Sequence, residues 1–565
     1  MTQKNLRTLV ATIFGLLTLA SVASIAYALT LTEEARIMAT DATGGDQLGS
    51  AVSISGDTIV STAAGAAPSG TGYVFVRSGG VWTQQSHLDP LDPELGSYYG
   101  LSTTVYGDTA VIGSPLTDIG AVMDAGALYV FVRSGGVWTQ QQRIHASDPM
   151  SLQSYGYSMD LEGDTLVAGS RWNNHSGLTN AGAAYVYTRT GTTWTEQQKI
   201  IASDAENYDT FGYAVAVSGD TLVVGAWRVD LAGGIGDAGA AYVYVRSAGH
   251  WTEQQKLTAS DAMIGDSLGQ SVDIEGDTII VGAPGVDRGA EMDVGAVYVF
   301  TRTGTAWSQQ AKLQSTLGAA GDLTGTSCAM HNNIVVAGAP EATVATHARA
   351  GAGYVFARSG TTWADQGRIA PVTSETDGNY GFTAALDGTT AVFGAPAENL
   401  TESPGYLHVV TLTGSPVFPD AGVDAGVDAG TMDAGMSDAG VVDAAIADAA
   451  ISDAAFDASI VDAGVEDATV SDDAAVADAD VTDAFVEDAG ELPDAGELAD
   501  ASTTPGDADV MTPDAATTGD AGTNPVDDPG CSCRVDGSRN ATNTGYATLL
   551  LVALLGVVTL RRRRR

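Results

Sequence analysis

One phrase recurs along this chain: Gly-Asp-Thr, three further residues, then Gly-Ala-Pro, as in "SVDIEGDTIIVGAPG" from Ser271 to Gly285. Copies and variants of its turn are centred on Gly56, Gly107, Gly163, Gly219, Gly276, Asn332 and Gly388, at intervals of 51, 56, 56, 57, 56 and 56 residues. A period of that length constrains the fold more than any local propensity. Each unit is one supersecondary element that buries its apolar face only against its neighbours.

Each unit carries four strand signals. "GQSVDIEG" and "DTIIVGAP" alternate apolar and small residues about a Gly-Asp pair that suits a tight hairpin. "GAVYVFTR" and "AWSQQAKL" follow, joined by a Thr-Gly turn. Four antiparallel strands repeated seven times predict an all-β fold, a seven-bladed β-propeller over residues 29–416. The fourth strand, marked by Trp82, Trp138, Trp194, Trp251, Trp307 and Trp363, occurs only six times. The missing copy stands at the other end, where "TEEARIMATDA" (Thr32 to Ala42) matches "TEQQKLTASDA" (Thr252 to Ala262). The N-terminal strand is therefore expected to complete the last blade and close the ring.

The wording resembles a known family. Phe211-Gly212, with Tyr-Gly or Leu-Gly variants in other units, followed by Gly-Ala-Pro at 282–284, 338–340 and 394–396, is similar to the FG-GAP repeats of integrin α-subunit propellers. The half that reads "YVF-R-SG--W-QQ-KL" resembles the bacterial branch of those repeats. The resemblance spans roughly residues 32–415 and implies a propeller with an extracellular interaction role.

The two ends read as addresses. Residues 1–28 have Lys4 and Arg7 ahead of an apolar run and end in Ala26-Tyr27-Ala28, as a signal peptide cleaved after Ala28 does. Residues 417–530 form an Asp/Ala-rich linker: between Asp420 and Asp528 there are 29 acidic residues and no Lys or Arg. So little apolar area and so much like charge predict a disordered, self-repelling spacer with a reach of roughly 60 Å. Residues 531–565 hold Cys531 and Cys533, a short apolar segment expected to be a transmembrane helix, and five terminal arginines. That order resembles the C-terminal sorting tags of myxobacterial surface proteins. The resemblance implies processing or lipidation at Cys531 or Cys533, leaving open which, and an outer-membrane or cell-surface location. Cys328 sits where sibling units have an apolar strand residue and reads as core.

Composition and motifs narrow the function. Residues 29–419 hold 39 acidic and 16 basic residues, which disfavours nucleic acid. The seven histidines follow no metal-ligand spacing, and no HExxH or nucleophile-elbow pattern appears. The turns "DIEGDT" and "DLEGDT" are too short for an Asp-x-Asp-x-Asp-Gly calcium loop, so no cofactor is expected, with calcium the alternative, and these Asp residues read as turn formers and strand caps. The connections between strands two and three and between blades are long, and variable loops on a rigid scaffold are the usual place for a site. Two of them depart from Gly-Ala-Pro: "GSRWNNHSG" and "GAWRVDLAG". They mark Arg171, Trp172, His175, Trp227 and Arg228 as candidate ligand-binding residues, because aromatic and Arg side chains dominate binding hot spots. The expectation is a monomeric, exported, non-catalytic propeller that binds an extracellular protein or glycan. The alternatives are a polysaccharide lyase or hydrolase with clustered acids, or His and Tyr, in the central depression, and a purely structural surface protein.

Overall fold

The computed structural model describes residues 29–372, 375–398 and 404–414. These hold 28 strands in seven four-stranded antiparallel sheets, the predicted propeller. Ala28, Cys531, Cys533 and the assignments made for residues 1–28, 417–530 and 531–565 lie outside the described residues. Among the described residues no helix is long and apolar enough to cross a membrane.

The seven blades begin at the first strands Leu48–Ser55, Ser102–Tyr106, Tyr155–Glu162, Ala214–Ser218, Ser271–Glu275, Ser327–His331 and Thr383–Asp387. These first strands contact one another in an unbroken circle, the seventh against the first, so they line the axis of a closed ring. The seventh blade is composite. The N-terminal strand Thr30–Ile37 pairs antiparallel with the last strand, Tyr406–Thr413, with Leu31 opposite Leu412 and Ile37 opposite Leu407.

The recurring words are bonds between blades. The Gly of "FG" in one blade lies against the Gly of "GAP" in the blade before it. A Cβ on Gly169 would overlap the carbonyl oxygen of Gly212, and Gly212 itself sits at φ +85°. The same contact spans the closure between Gly394 and Gly49. Glycine is required there because two backbones touch.

The Asp and Thr of "GDT" are equally committed. In blade 4, Arg246 Nε donates to Asp220 Oδ1 at 2.6 Å, its Nη1 donates to Thr165 Oγ1 of blade 3 at 3.0 Å, and its guanidinium stacks over Trp251 at 5.1 Å. Arg77 makes the same reach across the closure, to Thr390 Oγ1 at 3.2 Å. One seam lacks the link. Blade 6 has Ile334 in place of Thr, the last strand has Leu412 in place of Arg, and the N-terminal strand has Leu31 in place of Trp. All three pack in one apolar cluster. The polar triad is exchanged there as a unit for an apolar one.

The Gln-rich fourth strands bind laterally. Gln198 accepts the backbone N–H of Trp251 and donates to its carbonyl, both at 2.8 Å, while Trp251 Nε1 donates to Gln197 Oε1 at 2.9 Å. Five of the six repeated tryptophans are buried and Trp363 nearly so, as a residue repeated in every blade for packing should be. Cys328 is 8% exposed, unpaired, and burial pushes its thiol up to about 12, so it is a core residue as expected.

Candidate functional site

The tight hairpins of all blades turn on one face of the ring. The loops between strands two and three, and the blade-to-blade connections, gather on the other. On that long-loop face, blades 3 and 4 bring five rings and cations together beside the axis.

Arg171 follows strand two of blade 3 (Thr165–Ser170) and Trp227 follows strand two of blade 4 (Thr221–Ala226). Both stand at the position that carries proline in the Gly-Ala-Pro copies, at Pro284, Pro340 and Pro396. Without the fixed proline ring, each loop presents a long side chain. Strand one of blade 3 bulges between Tyr155 and Ser158, and the bulge places Tyr157 beside the start of Arg171's loop. Tyr213 precedes the first strand of blade 4 at the equivalent point, and its N–H bonds the Gly225 carbonyl.

The Arg171 guanidinium lies 3.6 Å from the Tyr157 ring centre, 4.2 Å from Trp172 and 5.7 Å from Tyr213. Tyr157 and Tyr213 are 5.0 Å apart, and Tyr213 meets Trp227 edge-on at 5.8 Å. A continuous row results: Trp172, Arg171, Tyr157, Tyr213, Trp227. Burial pushes the Tyr213 hydroxyl well above 10, Tyr157 adds to the effect, and the Arg171 charge opposes it. Arg171 Nε and Trp227 Nε1 are both buried from water and have no hydrogen-bond partner. Trp172 and Trp227 are half-buried, unlike Trp251, which is 2% exposed.

The structure thus joins Arg171, Trp172 and Trp227 of the five residues singled out in the sequence. Arg228 turns to Asp237 at 3.5 Å and over Trp227 at 5.4 Å, so its charge is already matched. His175 stands apart beside Ser176, with burial and the charge of Lys199 lowering its pKa. Tyr157 and Tyr213 were missed. The available signal was weak, since the sibling units carry Ser50, Leu101, Gln270 and Thr326 at their positions but also Phe382.

Four carboxylates of blades 3 to 5 have raised pKa values and are held by backbone N–H groups. In the blade-to-blade connections, burial pushes Asp209 and Asp266 up to about 6, and they accept from Glu206 and Met263. Burial pushes Asp160 up to about 6; burial and the charge of Asp160 push Asp273 up to about 7. Asp160 accepts the backbone N–H groups of Leu161 and, in the next blade, Val217. Asp273 does the same with Ile274 and Met330. Each seals the inner edge of its neighbour's first strand, with Glu162 doing likewise for Gly219. Among the described residues no group of three or more His, Cys, Asp or Glu is arranged to hold a metal ion.

An FG-GAP repeat profile matches residues 31–75, 82–131, 138–187, 194–244, 251–300 and 307–356, just over half the chain. The windows after the first begin at the fourth-strand Trp and end in the third strand of the next blade, while the first begins at Leu31 in the closing strand. No curated protein matches the chain.

Proposed function

The chain belongs to the FG-GAP repeat family, and from that premise we propose that it is a non-catalytic recognition module, exported to the cell surface, that binds an extracellular protein or glycan through its long-loop face. The observation that carries this reading is the row from Trp172 to Trp227. Partly exposed aromatic rings and a cation without an acidic partner sit on loops that replace the family's own wording. Rings positioned by a rigid scaffold lose little conformational freedom on binding and supply large contact area. The leader at 1–28, the acidic spacer and the tag at 531–565 support delivery and anchoring, and the spacer would hold the ring clear of the membrane. The carboxylates raised most, Asp160, Asp209, Asp266 and Asp273, all accept backbone N–H groups, which favours binding over hydrolysis.

The test is a glycan and surface-protein array probed with the full chain, with and without calcium. The variant Trp172→Ala/Trp227→Ala should lose its hits while keeping the wild-type melting temperature. Unchanged hits in that variant would place the ligand elsewhere and refute the site.

A further inference from the structure

We propose that Arg171 anchors a carboxylate on a sugar, so that the ligand of the long-loop face is a glycan whose mostly neutral chain carries isolated carboxylates. The inference rests on the binding role proposed above and names the chemistry of that site.

Tyr157 and Trp172 lie 3.6 and 4.2 Å from the Arg171 guanidinium, which leaves its N–H edge as the surface for a partner. That edge is a planar fork of donors matched to the two oxygens of a carboxylate. Among the described residues Arg171 forms no ion pair and donates no hydrogen bond, whereas Arg77, Arg133, Arg189, Arg246 and Arg302 each hold an Asp of their own blade. Arg358, whose blade lacks that Asp, holds Asn333 instead. Arg171 Nε is shielded from water whereas Nη1 and Nη2 are not, so the two Nη groups are the donors that an incoming carboxylate reaches. Trp227 Nε1, at the other end of the row, is a second shielded donor without an acceptor.

Charge and topology favour a sugar over other carboxylates. The ring region carries 39 acidic against 16 basic residues, so a dense polyanion is repelled on approach. A chain with one charge among neutral hydroxyl-bearing rings avoids that repulsion. Sugar rings also suit the partly exposed rings of Trp172 and Trp227. An acidic peptide binding as an added strand would need an open sheet edge beside the row. The inner edge of blade 4 is already taken up toward its hairpin end, where Val217 donates to Asp160 and Gly219 to Glu162, so too little of the five-residue strand is left to pair with a peptide.

The experiment is calorimetric titration of the full chain with four probes. They are a xylo-oligosaccharide bearing one glucuronate, its carboxyl-reduced counterpart, polygalacturonate, and a neutral peptide bearing one glutamate. The singly charged glycan should bind best, and reduction should weaken it about 10- to 100-fold, the range for losing a charge-assisted hydrogen-bonded pair. Arg171→Gln should bind the charged and reduced glycans equally, and Arg171→Lys should keep part of the preference. Equal binding of charged and reduced glycans by the wild type, or a preference that survives in Arg171→Gln, overturns the anchor. Preference for the peptide or for polygalacturonate, or no binding of any probe, overturns the ligand class. None of these results touches the wider binding role, which fails only if the array hits survive loss of both tryptophans.

Discussion

Glu33 Oε1 lies 2.6 Å from His408 Nδ1, fastening the first strand to the last across 375 positions of chain. The other ring nitrogen, Nε2, lies 2.6 Å from Glu398 Oε2, and Arg36 reaches Glu398 Oε1 at 2.8 Å. His408 is fully buried, with Tyr380 edge-on at 4.8 Å. An imidazole whose two nitrogens both face carboxylates is satisfied only as the doubly protonated cation. The closing strand is therefore held by a buried charge cluster.

The first prediction concerns that cluster and pH. Burial alone would lower the His408 pKa, but the hydrogen bonds and charges of Glu33 and Glu398 outweigh it and the net shift is upward. A raised histidine contributes stability that is complete below its unfolded value near 6.5 and is lost as pH rises through the folded value. Glu33 is shifted downward, chiefly by its hydrogen bond to His408, so its contribution is present above about 4.5 and is lost only in stronger acid. Melting temperature should fall between pH 6 and pH 9. His408→Gln should destabilise the ring at pH 6 by about 2–4 kcal/mol, because part-buried Glu33 loses its histidine cation and buried Glu398 is left with Arg36 alone. It should also remove much of the slope. A variant as stable as wild type at pH 6 would contradict the cluster.

A second component of the same slope comes from the axis. Asp273 is raised to about 7, so in the folded ring it holds a proton that the unfolded chain releases near 4. The folded state binds more protons over that window, and stability drops as pH rises through it. Asp273→Asn should reduce the slope between pH 4 and pH 7, with Asp160, Asp209 and Asp266 keeping a component of the same sign, and leave the His408 component above it. Chemical denaturation at fixed pH steps separates the two.

A third prediction separates two kinds of glycine. Gly169→Ala puts a methyl group into the Gly212 carbonyl and should cost more than 3 kcal/mol, on the order of a severe overpacking. Gly163 sits in a hairpin turn at φ +59° with nothing within 4 Å of the added carbon. Gly163→Ala should cost only about 1–2 kcal/mol, the penalty of a left-handed backbone. Urea midpoints of the two variants check the ranking, and equal losses would refute the backbone contact.

Much of this was legible in the sequence. The period fixed blade number, and the six tryptophans with a seventh match at Thr32–Ala42 foretold the closure. The roles of the words were less legible. Asp57, Asp108, Asp164, Asp220 and Asp277 read as turn formers, but their carboxylates hold arginines near the far end of the blade's sequence, a contact no spacing rule reveals. In the site, Arg171, Trp172 and Trp227 were readable because they break the repeat. Tyr157 and Tyr213 escaped because an aromatic near "FG" looks like core, and only their contacts with Arg171 and each other show otherwise. His175 and Arg228 broke the wording too, yet their neighbours, Ser176 and Asp237, lie within their own loops.

A fourth prediction follows from the seam that lacks the polar link. Arg246→Leu removes the bonds to Asp220 and Thr165 and the stack on Trp251 at a partly exposed site, and should cost about 1–2 kcal/mol. Leu412→Arg introduces the same cation where Ile334 and Leu31 are its neighbours, and should cost about 3–5 kcal/mol. Thermal melts of both variants compare them, and a milder effect for Leu412→Arg would contradict the apolar exchange.

Hydrogen exchange of the backbone amides in Thr30–Ile37 tests the closed ring most directly. In a strand that locks the seventh blade, the amides that pair with Tyr406–Thr413 exchange together with that strand and far slower than the loops, while the alternate amides on the outer edge are free to exchange. Rapid exchange of the paired amides of Thr30–Ile37 while Tyr406–Thr413 stays protected would mean that the ring closes without its first strand.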